Sequence, residues 1–179
     1  MNEGAKVLLS DIFAENDIVF FDTCSIISDG FIPLMIKEAK ILKKKGKMVS
    51  IHKSVLSELI YLSLTKTDGT EKNALYKLKA IEAFCVAGVL NLIGEYNRLQ
   101  IADHQLYEYA VSNRIDKKIA IVTQDSNLIL DLQKINNIKS FSGKDVGVYK
   151  LTKKGNLYDH TEDESQNMYS ADFTAFLQH

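Results

Sequence analysis

Two segments of this chain run apolar side chains straight into a carboxylate. They are VFFDTCSII, residues 19 to 27, where the acid is Asp22, and KIAIVTQD, residues 118 to 125, where it is Asp125. A strand with one face in water alternates apolar and polar residues. These runs do not alternate, so both of their faces must be buried. Sheets buried on both faces are built from parallel strands joined by helical crossovers, and that requirement limits the fold more than any other feature of the chain.

The intervening sequence supplies the crossovers. Phe31, Leu34, Met35, Ala39 and Leu42 recur at helical spacing, and Gly46 predicts the stop. KMVSIH reads as a short strand. Ser54 is the expected N-cap of a helix running to about Leu64, with Leu56, Leu59, Ile60 and Ser63 on one side. After the turn-rich TKTDGTEKN, a helix from near Thr70 to about Val86 is expected to turn Leu75, Leu78, Ile81 and Cys85 inward. VLNLI is a further strand, DHQLYEYAVSN a helix from Asp103, and NLILDLQKI a helix capped by Asp125 or Ser126. A last β region falls in IKSFSGKDVGVYKL. The expected fold is α/β, a three-layer α/β/α sandwich around a central, mostly parallel sheet. In such folds ligands bind beyond the carboxyl ends of the strands.

A chain of 179 residues suits one domain. Residues 1–151 are expected to form it, with 152–179 a polar, acidic tail in which ADFTAFL predicts a short docked helix. Apolar residues make up 46% of the chain, which excludes a disordered polymer, and a single Pro with nine Gly fits short connections better than a sandwich of many turns. Net charge is −1, so attraction to nucleic acid must come from a local patch. The densest basic stretch is KEAKILKKKGK, residues 37 to 47, whose ordinary role is a solvated helix end that complements the helix dipole. Two cysteines, Cys24 and Cys85, in apolar surroundings do not make a disulfide framework. With no secretory pattern and no long apolar span, a cytoplasmic protein without a membrane partner is expected.

Four acids occupy comparable positions: Asp22 after one strand, Glu58 on the helix after the next, Asp103 opening a later helix, and Asp125. Each has a common structural use, as an Asx turn, a solvated helix residue or an N-cap. Gathered at one rim, however, they would raise one another's pKa. Mg²⁺ or Mn²⁺, which takes oxygen ligands and keeps several waters, relieves that repulsion and can promote in-line attack on a phosphodiester. Zinc is disfavoured, because the Cys and His residues lack ligand spacing.

The segments FFDTCSII, SVLSELIYL, IADHQLYEYA and IVTQDSNLILDL, in that order, resemble the acidic motifs of PIN-domain nucleases over about residues 18 to 150. The resemblance implies a Mg²⁺- or Mn²⁺-dependent endoribonuclease acting on single-stranded RNA, with Asp22, Glu58, Asp103 and Asp125 as the catalytic and metal-binding acids. Thr123 matches a small hydroxyl residue that often stands two positions before the last acid. Where that family commonly has Asn or Ser two residues after its first acid, this chain has Cys24. Thr23 and Ser25 are therefore the expected substitutes, and with Thr123 the expected substrate contacts. The family also suggests an antitoxin or other regulatory protein as partner, and a homodimer. A haloacid-dehalogenase-like phosphatase would need a second Asp at position 24, and a receiver-like phosphoacceptor lacks its acidic pair. A PIN-fold module that binds RNA or protein without turnover remains the alternative.

Overall fold

The computed structural model describes residues 4–95, 101–137 and 143–161. Among them, seven strands and seven helices follow in the order β1 (Lys6–Val7), α1 (Leu9–Glu15), β2 (Ile18–Phe21), α2 (Thr23–Ile27), α3 (Phe31–Lys45), β3 (Val49–His52), α4 (Lys53–Thr65), α5 (Thr70–Val86), β4 (Leu90–Ile93), α6 (Ala102–Asn113), β5 (Ile119–Val122), α7 (Ser126–Asn137), β6 (Gly147–Leu151) and β7 (Leu157–Asp159). They build one mixed sheet of order β1-β7-β6-β5-β2-β3-β4. The five strands from β6 to β4 are mutually parallel, while β7 and β1 close the other edge antiparallel.

Strand β2 explains why the runs do not alternate. Val19, Phe20 and Phe21 are all fully buried. Phe20 packs edge-on against Tyr109 of α6 with ring centroids 4.9 Å apart, and Phe21 packs against Phe31 of α3 at 5.5 Å. Successive side chains point to opposite faces of a sheet, so one helix covers each face. The architecture is consistent with the expected three-layer sandwich. Burial of a single Phe is worth roughly 1.5–3 kcal/mol, so this one dipeptide is a sizeable part of the core.

The chain moves from β2 to β3 to β4 on one side, then returns to β5 on the other flank of β2. That reversal creates a switch point between β2 and β5, the place where open α/β sheets leave a crevice. Helix α3 stops where Gly46 adopts a φ of +62°, as its sequence predicts. No helix among the described residues is long and apolar enough to cross a membrane.

Three expectations need correction. The sheet does not end at Leu151, where the domain was expected to stop: residues 152–161 continue it through a turn and β7, whose Leu157 is buried. The stretch KLTKKGNLYD is a hairpin with Gly155 at φ +76°, and its polar turn residues read as a tail only when the short strand beyond them is overlooked. Helix α5 turns Ala74, Lys77 and Ile81 inward and leaves Leu75 about half exposed. Its inner face is set by close packing on α4 and by polar anchoring: Lys77 Nζ donates to Ser28 O at 2.7 Å and Asn73 Nδ2 to Ile27 O at 3.1 Å. Finally, the N-cap of α4 is His52, not Ser54. The ADFTAFL segment lies outside the described residues.

Candidate active site

Asp22 ends β2 and caps α2, and it is almost completely buried. Three donors hold its carboxylate. The Thr23 N–H donates to Oδ1 at 2.5 Å, while the Cys24 thiol and the Thr123 hydroxyl donate to Oδ2 at 2.8 and 2.9 Å. The strand register makes this possible. Phe21 pairs with Val122, so Asp22 and Thr123 are the first residues past the ends of two adjacent parallel strands.

Asp125 follows one step later. Its N–H donates to Thr123 Oγ1 at 3.0 Å, and its Oδ1 accepts from the N–H groups of Asn127 and Leu128 at 2.7 and 3.1 Å. It is thus the cap of α7 and a member of the rim together, with Oδ2 left over. Glu58 comes from the second turn of α4, and Thr23 Oγ1 donates to its Oε2 at 2.7 Å. Burial pushes the Glu58 carboxyl up, the Thr23 hydroxyl opposes that, and Asp22 adds to it.

Asp103, in the first turn of α6, ties the group together. Burial first, then like-charge repulsion from Asp22, Asp125 and Glu58, raises its carboxyl to about 7. It also shares a hydrogen bond with Asp22, which fits a protonated Asp103 donating to an ionised neighbour. All four acids, from elements up to 103 positions apart in the chain, therefore act on one another at the carboxyl ends of the parallel strands. They are an open group: among the described residues, no three or more Asp, Glu, His or Cys side chains are placed so that they could hold a metal ion.

The hydroxyl and thiol neighbours divide differently from expectation. Thr23 serves Glu58 and Thr123 serves Asp22. Ser25 is fully buried and its hydroxyl has no hydrogen-bond partner among the described residues, so it holds none of the four acids. Cys24 itself takes the place beside Asp22. Its sulfur also accepts the Gln124 N–H at 3.1 Å and lies 3.5 Å from Thr123 Oγ1. Burial, then the Asp22 charge, raises the thiol to about 12, so it stays protonated and acts as a donor. The i+2 spacing from a helix-capping acid was the available signal for this contact. His52, at the end of β3, is kept neutral by burial with Lys53 adding to the effect; its Nδ1 accepts from the Ser54 N–H at 3.3 Å, which fixes the start of the helix that carries Glu58.

The basic run lies elsewhere. Lys43, Lys44 and Lys45 end α3 just before β3 begins, at the opposite pole of the parallel strands from the acids. A cavity of about 660 Å³, lined among others by Asn16, Lys118 and Tyr149, also opens where β5 and β6 begin; none of the four acids lines it. Glu108 and Asp131 on α6 and α7 pair with His104 and Lys134 on exposed surface.

No protein-family model matches this chain, and no curated protein matches it. Among solved structures, a domain of a functionally unknown protein from Methanocaldococcus jannaschii DSM 2661 is similar over 74% of this chain and 89% of that one, with 21% sequence identity and a TM-score of 0.46.

Proposed function

We propose that this chain is a divalent-metal-dependent endoribonuclease of the PIN type that hydrolyses phosphodiester bonds in single-stranded RNA. The observation that carries the reading is the gathering of the acids: besides burial, Asp22, Asp125 and Glu58 together repel the Asp103 carboxylate. A purely structural set of caps and turns has no reason to hold four acids in mutual repulsion. The donor set suits Mg²⁺ or Mn²⁺: the four carboxylates and the Thr23 and Thr123 hydroxyls offer oxygen only, whereas the Cys24 sulfur is engaged with Asp22 and Gln124.

Asp22, Glu58 and Asp103 would hold the cation, and Asp125 would orient a second ion or the attacking water. When bound, the ion would offset the repulsion among the acids and supply Lewis-acid activation for in-line attack on a phosphodiester. The protein's own groups do the positioning. Thr23 and Thr123 aim Glu58 and Asp22, and the cap of α7 leaves one Asp125 oxygen toward the rim. Asp103, protonated near neutrality, gives up its proton as the site fills. The RNA has to approach the rim itself, because the lysine run is at the far pole.

The open spacing of the acids favours a second reading, a PIN-fold module that binds RNA or protein without turnover. One assay separates the two. Purified protein is incubated with end-labelled single-stranded RNA and Mn²⁺ beside Asp22→Asn; cutting that needs Mn²⁺ and disappears in the variant supports the nuclease. Intact RNA in both samples, with retained RNA binding, supports the module.

A further inference from the structure

We propose that Cys24 is a positioning residue, whose thiol works in parallel with Thr123 to clamp the Asp22 carboxylate to the turn that carries Asp125. Strand pairing alone cannot do this. The register of β2 with β5 fixes the backbone at the two strand ends, but it leaves the Asp22 side chain free to rotate. Two relays remove that freedom. In one, the Asp125 N–H donates to Thr123 Oγ1 and the Thr123 hydroxyl donates to Asp22 Oδ2. In the other, the Gln124 N–H donates to the Cys24 sulfur and the Cys24 thiol donates to the same Oδ2. Each relay starts on a backbone amide of the 124–125 turn and ends on one carboxylate oxygen.

The consequence for Asp22 is specific. A carboxylate has about four acceptor sites. Cys24 and Thr123 occupy both on Oδ2, and the Thr23 N–H occupies one on Oδ1. What remains is one acceptor direction, which the Asp103 carboxyl shares in the metal-free protein and a ligand would take in its place. Cys24 thus narrows how Asp22 can meet a cation without ligating the cation itself, since its proton faces Asp22 and its acceptor side faces Gln124. Removing one relay frees the carboxylate, and groups that orient metal-binding side chains typically govern about 10- to 100-fold in metal affinity. The clamp is a statement about the metal-free protein. Its effect on cation binding rests on the proposed metal-dependent function.

The test uses the full chain in two measurements. In a Cys85→Ala background, the Raman S–H stretch of Cys24 is recorded without metal, and Asp22→Ala is compared. A stretch lowered from that of a free thiol, and restored toward it in Asp22→Ala, supports the clamp. A free-thiol stretch in both overturns it. Mn²⁺ affinity is then read from the electron paramagnetic resonance of the free ion for the wild type, Cys24→Ala and Cys24→Ser. Cys24→Ala is expected to bind about tenfold more weakly and Cys24→Ser, which restores a donor, within about threefold of the wild type. Wild-type affinity in Cys24→Ala would overturn the positioning role. A loss as large in Cys24→Ser as in Cys24→Ala would overturn it too, because a hydroxyl would then fail where donation alone is required. A wild type that binds no Mn²⁺ yet has the lowered stretch would support the clamp and sink only the metal reading.

Discussion

Asp103 carries its neighbours' charge as a retained proton, which gives the metal-free protein a pH dependence of definite sign. Folded, its carboxyl titrates at about 7; its ordinary value is 3.8. Between those values the folded state binds more protons than the unfolded state, so stability falls as pH rises through the window and levels off above it. The group is partly exposed, and solvent screening keeps the effect to about 1 kcal/mol. Asp103→Asn is therefore expected to raise the melting temperature of the metal-free protein at pH 8 by roughly 2–4 °C. It should leave that temperature nearly unchanged at pH 4. The proposed metal site requires Mn²⁺ to raise the melting temperature of the wild type, and the same substitution should abolish that rise. A variant less stable than the wild type at pH 8 would contradict the repulsion on which the site is built. Gly94 gives a second residue-level test. Its φ is +86°, and a Cβ there would run into the imidazole of His52. Gly94→Ala should cost about 1–3 kcal/mol in urea unfolding, and a loss under about 0.5 kcal/mol, the size of an ordinary surface substitution, would contradict the close approach.

At the scale of elements, residues 152–161 are the instructive case. Read as composition, TKKGN followed by LYD looks like the start of a tail; read as a hairpin, Gly155 and the buried Leu157 place a strand. Gly30, before α3, backs onto this turn so closely that a Cβ on it would meet Thr152 O. The hairpin is therefore part of the core, and Leu157→Ala should destabilise the fold by about 2–4 kcal/mol by equilibrium denaturation. An effect below about 0.5 kcal/mol, the size of an ordinary surface substitution, would restore the shorter domain boundary. Helix α5 makes the complementary point. Its helical period and its limits, Thr70–Val86, are legible in the sequence, but its inner face is not. Periodicity marks apolar residues as inward candidates, whereas Lys77 goes inward because the carbonyl of Ser28 needs a donor there. That need belongs to another helix and cannot be read from this one.

At the scale of the whole molecule, the four acids and the lysine run sit at opposite ends of the parallel strands. The acids lie past the strands' carboxyl ends and Lys43, Lys44 and Lys45 before β3 at the amino ends. At physiological ionic strength exposed charges are screened over about 8 Å, so the lysines should not influence the acids through solvent. Replacing all three by Gln is expected to leave Mn²⁺ affinity within about twofold of the wild type, measured by the same resonance titration. A tenfold change would show that the two poles communicate.

Alternation of buried runs with helical periods was enough to establish the fold class, because a strand hidden on both faces has few other ways to be covered. The positions of Asp22, Glu58, Asp103 and Asp125 at element ends were equally visible in one dimension. Strand order was not, and strand order decides whether those ends meet: β5 returns to pair with β2, which sets Thr123 and Asp125 beside Asp22. Nor could the sequence choose among Thr23, Cys24 and Ser25. All three are polar neighbours of one acid, but the turn of α2 sends the first to Glu58, the second to Asp22 and the third into the interior. Side-chain direction on a helix follows its rotation against the sheet, a property of packing that no local stretch of residues contains.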